Sequence, residues 1–140
     1  GKGLGGGGPG WNGPRDFTEA EYGPEGRCVD TTKPFDVAVS FPVDSQGNMA
    51  AMEVVLQQAG RSCPVFMDLN DYKAMEELSA ALSKGMTPIV SYWKSEDMTW
   101  MDGPGQDQKG PCKKEHLGRC EDTIKFYNFS IDEYKLSERP

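Results

Sequence analysis

Three scarcities limit what this chain of 140 residues can be. Positive charge is scarce, since 15 Lys and Arg face 22 Asp and Glu for a net charge of −7, and no basic stripe offers a nucleic-acid surface. No apolar run approaches the roughly 20 residues that cross a bilayer, so we expect no membrane span. The four cysteines include no CxxC pair. Their even number favours two disulfides and an oxidising compartment, either extracellular or an organelle lumen.

The length of the chain suits one domain with a sizeable core. Residues 1–10 are almost all glycine and bury too little apolar area to offset the entropy of ordering, which predicts a flexible arm. Residues 11–134 are predicted to form the single domain. Residues 135–140 are predicted to be a tail.

Alternating apolar residues predict several strands. Phe35, Val37, Val39 and Phe41 share one face of a predicted half-buried strand. Residues 48–58 predict a second strand, although their Ala, Met, Glu and Gln also favour helix. Further strands are predicted at 86–93, 98–102 and 123–131, with a turn at 94–97 and a long loop at 103–120.

One stretch has helical rather than strand periodicity. Its apolar residues recur every three or four positions at Leu69, Tyr72, Met75, Leu78 and Leu82. A helix is therefore predicted to begin near Asp71 and to stop at Lys84 and Gly85. Four or five strands with one short α-helix indicate a mostly β, largely antiparallel protein.

Several motifs occur together in a recognisable order: "WNGPR", "YGPEGRCVDTTKPFDVAVSF", "MEELSAALSKGMTPIVSYWKSEDMTWMDG" and "IKFYNFSI". In order and approximate spacing, residues 11–131 resemble the C-terminal half of glycoside hydrolase family 7, which contains cellobiohydrolases and endoglucanases. The resemblance implies an antiparallel β-sandwich, here a partial concanavalin-like jelly roll. It also implies a relation to β-1,4-glucan.

The same resemblance assigns roles to three side chains. Trp93 and Trp100 match tryptophans that line the glucan tunnel, and Arg15 resembles an arginine that contacts sugar in the leaving-group subsites. A rigid indole suits this role because the axial C–H face of glucose is apolar. Periodicity alone favours core positions for both tryptophans, whereas the resemblance favours the glucan site for Trp100 and leaves Trp93 open. If the site is retained, Trp100 lies on a concave face close to Arg15.

The catalytic signature of that family is not found in this chain. Retaining hydrolysis needs two carboxylates about 5 Å apart, which the family supplies from a strand reading E-x-D-x-x-E. The sequence contains no such motif. The close acids at 68–71 and 95–98 belong to polar turns, where a solvated surface is the usual interpretation, and we assign no catalytic residue.

The cysteines allow two interpretations. By resemblance, Cys28 pairs with Cys63, and Cys112 has lost its family partner, so Cys120 could replace that partner locally. Alternatively, Cys112, His116 and Cys120 could place three zinc ligands on one face of a helix. Gly118 makes that helix doubtful and a fourth ligand is not evident, so we expect no metal and no cofactor.

A final motif is the N-glycosylation sequon "NFS" at Asn128, which is compatible with secretion.

The leading hypothesis from the sequence is a non-catalytic, glucanase-derived β-sandwich acting as a binding or structural subunit of a larger assembly. Half of a jelly roll leaves open strand edges and an apolar face, so we expect another protein to cover its open side, in a hetero-oligomer. One alternative is the glucan-holding C-terminal part of a family 7 cellulase whose carboxylates lie on a missing or separate segment. The other is a free-standing glucan-binding protein.

Overall fold

The structure is a computed structural model that describes residues 17–18, 20–70, 72–92 and 123–133. In chain order these residues form β1 (Tyr22–Gly23), β2 (Val29–Asp30), β3 (Asp36–Ser40), β4 (Met52–Gln57), β5 (Val65–Leu69) and α1 (Met75–Ser83). The prediction of a mostly β protein with one short helix is confirmed. The domain boundaries stay a prediction.

The main sheet has the strand order β3-β4-β5, and both of its pairings are antiparallel. The predicted strand at 35–41 is confirmed as β3. The ambiguous segment at 48–58 contains strand β4 rather than a helix. Strand β5 was not predicted from the sequence, because Leu69 was assigned to the periodic pattern of the following helix.

The register of the sheet separates an apolar face from a mixed face. Val37 pairs with Leu56, which pairs with Val65, and Val39 pairs in the same way with Val54 and then Met67. Because side chains alternate along a strand, directly opposed residues share one face. These six residues define the apolar face of the sheet.

The buried core lies at one end of the apolar face. Leu56 and Val65 form a buried cluster with Cys28 and Val29. Six partly buried residues pack around that cluster: Phe17, Tyr22, Phe35, Val54, Cys63 and Met67. The segment that contains β1 and β2 therefore covers the Leu56–Val65 end of the sheet.

Strands β1 and β2 pair in parallel although only residues 24–28 separate them. The tight connection depends on Gly26, whose N–H donates to the Gly23 carbonyl oxygen at 2.9 Å. A Cβ atom at this position would lie 2.9 Å from the Gly23 nitrogen and closer still to the Val29 carbonyl oxygen. Only glycine allows the two backbone segments to approach this closely.

The predicted helix is present but begins later than expected. Helix α1 starts at Met75 rather than near Asp71, and Tyr72 precedes it as an exposed residue. Its end agrees with the prediction. Gly85 has a φ of 93°, and its N–H donates to the Leu82 carbonyl oxygen. The Met49 N–H donates to Ser79 Oγ at 2.9 Å, which ties α1 to the segment before β4.

Two predicted strands are wrong. Residues 86–92 and 123–131 are exposed and have no regular secondary structure. Pro88 lacks the N–H that a strand ladder needs. Asn128 has a φ of 56°, which breaks the extended alternation.

The burial predicted for β3 also needs correction. Val37, Val39 and Phe41 were expected to be the buried side of a half-buried strand, but all three are exposed. Val37 and Val39 lie on the edge strand β3, and Phe41 follows that strand directly. Val37 pairs with Leu56 at the covered end of the sheet but is not part of the buried cluster.

Candidate functional site

Most of the candidate residues, whether assigned by resemblance or considered as zinc ligands, lie outside the described residues. These are Arg15, Trp93, Trp100, Cys112, His116 and Cys120, together with the predicted turn at 94–97, strand at 98–102, loop at 103–120, glycine arm and tail. The expected proximity of Trp100 and Arg15 therefore stays a prediction. The candidate site must be built from the sheet and the residues that position it.

The disulfide implied by the resemblance is present. Cys28 and Cys63 are bonded, with their Cα atoms 5.0 Å apart and a separation of 35 positions in the sequence. Cys28 is buried in the core cluster, and Cys63 lies two residues before β5. The bond therefore joins the β1–β2 segment covalently to the main sheet.

The motif "DTTKPF" proves to be the connection from β2 into β3. The Asp30 carboxylate accepts hydrogen bonds from Thr32 Oγ1 at 2.6 Å and from the N–H groups of Thr32 and Glu25, both at 3.1 Å. Lys33 Nζ lies 2.8 Å from its other oxygen. The hydrogen bond from Lys33, followed by those from Thr32 and Glu25, holds the pKa of the Asp30 carboxyl well below its usual range.

A buried glutamine fastens this turn to the sheet. The Asp30 N–H donates to Gln58 Oε1, and Gln58 Nε2 donates to the carbonyl oxygens of Asp30 and Pro34, each at 3.0 Å. Gln58 is 6% exposed and follows β4 directly. Because its amide bonds both sides of the motif, it fixes where β3 begins beside β4.

Three apolar residues that follow this turn, on β3 or directly after it, are exposed to solvent. We call them the open strip: Val37, Val39 and Phe41. Their side chains are 58%, 50% and 41% exposed, whereas Leu56 and Val65 at the covered end of the same face are 7% and 3% exposed. In the described sheet β3 pairs with β4 on one side, so its other edge is open to a further strand. The open strip thus combines unburied apolar area with a free backbone edge.

The mixed face carries a polar row that the sequence did not reveal. Ser40, Glu53 and Asp68 are direct cross-strand neighbours. Ser40 Oγ donates to Glu53 Oε2 at 3.3 Å, and Asn70 Nδ2 donates to Asp68 Oδ2 at 2.9 Å. The sequence could not place Glu53 beside Asp68, because their proximity depends on β5 and its register.

The described residues offer neither a metal cluster nor a membrane-crossing helix. Nowhere in 17–18, 20–70, 72–92 or 123–133 do three or more His, Cys, Asp or Glu side chains group as metal ligands. Among the same residues no helix is long and apolar enough to cross a membrane.

Fold and site together define a mostly β, disulfide-linked protein whose main sheet has a partly exposed apolar face. The chain is similar to Endoglucanase 1 of the fungus Pyricularia oryzae (strain 70-15), with 30% identity over 110 residues. The similarity covers 60% of this chain and 26% of the endoglucanase, so the chain spans about a quarter of that relative. No family model and no solved structure matches the chain.

Proposed function

We propose that this chain is the glucan-holding part of an endoglucanase-like fold, and that a second polypeptide segment carrying the rest of that fold covers the open strip. The observation that carries the proposal is the exposure of Val37, Val39 and Phe41 beside an edge of β3 with which none of the described strands pairs. Full burial of one such side chain contributes about 1.5–3 kcal/mol. Covering the open strip would therefore stabilise an assembly substantially.

The similarity to a fungal endoglucanase suggests what the covering segment is. Since the similarity spans 26% of that protein, about three quarters of an endoglucanase-like chain has no counterpart here. A second sheet from that portion, packed on the apolar face, would complete the antiparallel β-sandwich of jelly-roll type. The same portion would supply the two carboxylates of a retaining hydrolase, about 5 Å apart, because this sequence contains no E-x-D-x-x-E motif.

In this proposal the present chain binds and orients β-1,4-glucan. Trp100 and Trp93 supply apolar stacking surfaces, and Arg15 donates hydrogen bonds to sugar hydroxyls. The disulfide and the Asp30–Gln58 hydrogen bonds hold the β1–β2 segment and the β2–β3 turn on the main sheet. The disulfide also supports an oxidising location, extracellular or lumenal.

A second candidate is a non-catalytic binding or structural subunit docked on an unrelated protein through the open strip. The missing E-x-D-x-x-E motif favours it, because nothing in this sequence then needs to serve hydrolysis. Both candidates use the same docking surface. They differ in the identity of the covering polypeptide and in the activity of the assembly.

Native mass spectrometry of the protein, isolated gently from its source, distinguishes the two candidates when combined with an assay on soluble cello-oligosaccharides. A mass above the 15.4 kDa of the chain, an endoglucanase-like partner segment and hydrolysis would support the first candidate. An unrelated partner without hydrolysis would support the second. A mass near 15.4 kDa would contradict both and favour a free-standing glucan-binding protein.

A further inference from the structure

Residues 123–133 belong to neither sheet and form an exposed segment without regular secondary structure. Within it, Asn128 has a φ of 56°, a left-handed conformation that asparagine tolerates better than most residues. The backbone therefore bends at this residue instead of continuing as a strand. Asn128, Phe129 and Ser130 also form the one N-x-S/T sequon of the chain.

Both polar side chains of the sequon are accessible. Asn128 is exposed, and its carboxamide makes no hydrogen bond to another described residue. The Ser130 hydroxyl donates to Asp132 Oδ2 at 2.9 Å on the exposed surface. A solvent-exposed hydrogen bond of this kind exchanges with other partners at small net cost.

The surroundings of Asn128 are unusually apolar for a surface. Phe126, Tyr127 and Phe129 are 65%, 63% and 71% exposed. A bulky hydrophilic group on Asn128 would shield these rings from other molecules and raise solubility. The Cys28–Cys63 bond supplies a second, independent indication, because in eukaryotes disulfides form in the same lumen where N-linked glycans are added.

We propose that Asn128 is an acceptor for an N-linked oligosaccharide. In this transfer the carboxamide nitrogen of Asn128 loses a proton and forms a bond to the anomeric carbon of a lipid-linked oligosaccharide diphosphate. The bond between the anomeric carbon and the diphosphate oxygen breaks, and the lipid diphosphate leaves with its electron pair. The inference rests on the 123–133 segment and on the Cys28–Cys63 disulfide, and it does not depend on glucan binding or on the open strip.

The test is secretion of the full chain from a eukaryotic host, followed by intact-mass measurement and peptide mapping. We expect a mass above 15.4 kDa by one glycan, and treatment with peptide N-glycosidase should remove it and convert Asn128 to aspartate. Asn128→Gln and Ser130→Ala should both yield the unmodified mass. Ser130→Thr should stay modified, because threonine also completes the sequon.

One further variant separates the sequon from local structure. Asp132→Ala removes the partner of the Ser130 hydroxyl but leaves the sequon intact, so it should remain glycosylated. Formation of the Cys28–Cys63 disulfide, checked in every variant by non-reducing peptide mapping, shows that each chain has folded in the lumen. A secreted, disulfide-bonded wild-type chain with unmodified Asn128 would overturn the proposal.

Discussion

At the scale of single residues, Asp30 links sequence to fold most directly. It belongs to "DTTKPF", and the structure explains the motif by local hydrogen bonding: the carboxylate organises the turn that leads from β2 into β3. The buried Gln58 then holds the same turn against the end of β4. A motif noticed because it resembles a family thus has a structural role of its own.

The first prediction concerns the pH dependence of stability at Asp30. Because its folded-state pKa lies below the ordinary value of 3.8, its stabilising contribution is complete above that pH and is lost as the pH falls further. The urea midpoint of the wild type should therefore fall between neutral pH and about pH 3. Asp30→Asn should be less stable at neutral pH and should show a smaller fall.

Two further carboxyl groups act in the same direction, since hydrogen bonds lower the pKa of Glu21 and of Asp44. Some acid sensitivity should therefore remain in Asp30→Asn. Asp36→Asn changes an exposed aspartate on β3 and is the control for the loss of one negative charge. An Asp30→Asn response as steep as the wild-type response would contradict this account.

The second prediction tests the proposed glucan site. If an indole stacks on a sugar ring, Trp100→Ala should weaken binding of cello-oligosaccharides by about fivefold or more, since an aromatic contact of this kind contributes about 1 kcal/mol beyond its buried area. Tyr92→Ala, which removes an aromatic ring that is 51% exposed, is the matched control and should bind normally. Isothermal titration of the assembled protein measures both. Equal losses in the two variants would point to a general loss of folding rather than a site.

At the scale of elements, the apolar face of the main sheet is only partly covered. The β1–β2 segment covers Leu56 on β4 and Val65 on β5, whereas β3 presents its apolar residues to solvent. In the part of the chain that the structure describes, no strand pairs with the outer side of β3. Natural proteins usually cover such an edge when it lies beside exposed valines.

The third prediction is that the open strip forms the interface with the covering segment. Val37→Thr and Val39→Thr together keep the β-branched shape of the strand but add two hydroxyl groups to the proposed interface. An unpaired buried hydroxyl costs about 1–3 kcal/mol, so the dissociation constant for the covering segment should rise by about tenfold or more. The isolated chain should change in stability by less than about 0.5 kcal/mol, because both residues are exposed in it.

The matched control is Val55→Thr, the same chemical change on the mixed face of β4. Val55 pairs with Ala38 and Phe66, so its side chain points away from the open strip. Sedimentation equilibrium should show unchanged assembly for this variant. Equal weakening by Val55→Thr and by the double variant would show that the interface is not the open strip.

The elements also show how far sequence reasoning reached. Alternation located β3 and β4, and helical periodicity with a glycine stop located the end of α1, because these signals are local. The same reasoning failed for β5, which is short and merges with the helical pattern at Leu69, and for 123–131, where the backbone turns at Asn128. It also failed for the burial of Val37 and Val39, because burial depends on what lies opposite the strand.

At the scale of the whole molecule, acidic charge and exposed apolar surface oppose each other. The net charge is −7 at neutral pH, and the isoelectric point is about 4.7. Mutual repulsion keeps copies of the chain apart only while that charge persists. The open strip and the aromatic residues near Asn128 provide the attraction.

The fourth prediction follows from this balance. Solubility of the isolated chain should be lowest near pH 4.7, where the net charge vanishes, and should recover towards neutral pH. Asp30 keeps its ordinary stabilising role until the pH falls below 3.8, so the precipitate should still be folded. Light scattering measures the solubility, and far-UV circular dichroism of the redissolved protein measures how much of it is folded. Unfolded protein at pH 4.7 would show that the loss of net charge is not the cause of the precipitation.

The strand order β3-β4-β5 also determines the sequence of events during synthesis. Each strand pairs with its immediate neighbour along the chain, so the sheet can close once Leu69 has emerged from the ribosome, without waiting for residues 123–133. Cys63 emerges 35 residues after Cys28, just before β5. Both cysteines are therefore available for oxidation by the time the sheet is complete, and their bond then holds the β1–β2 segment against Leu56 and Val65.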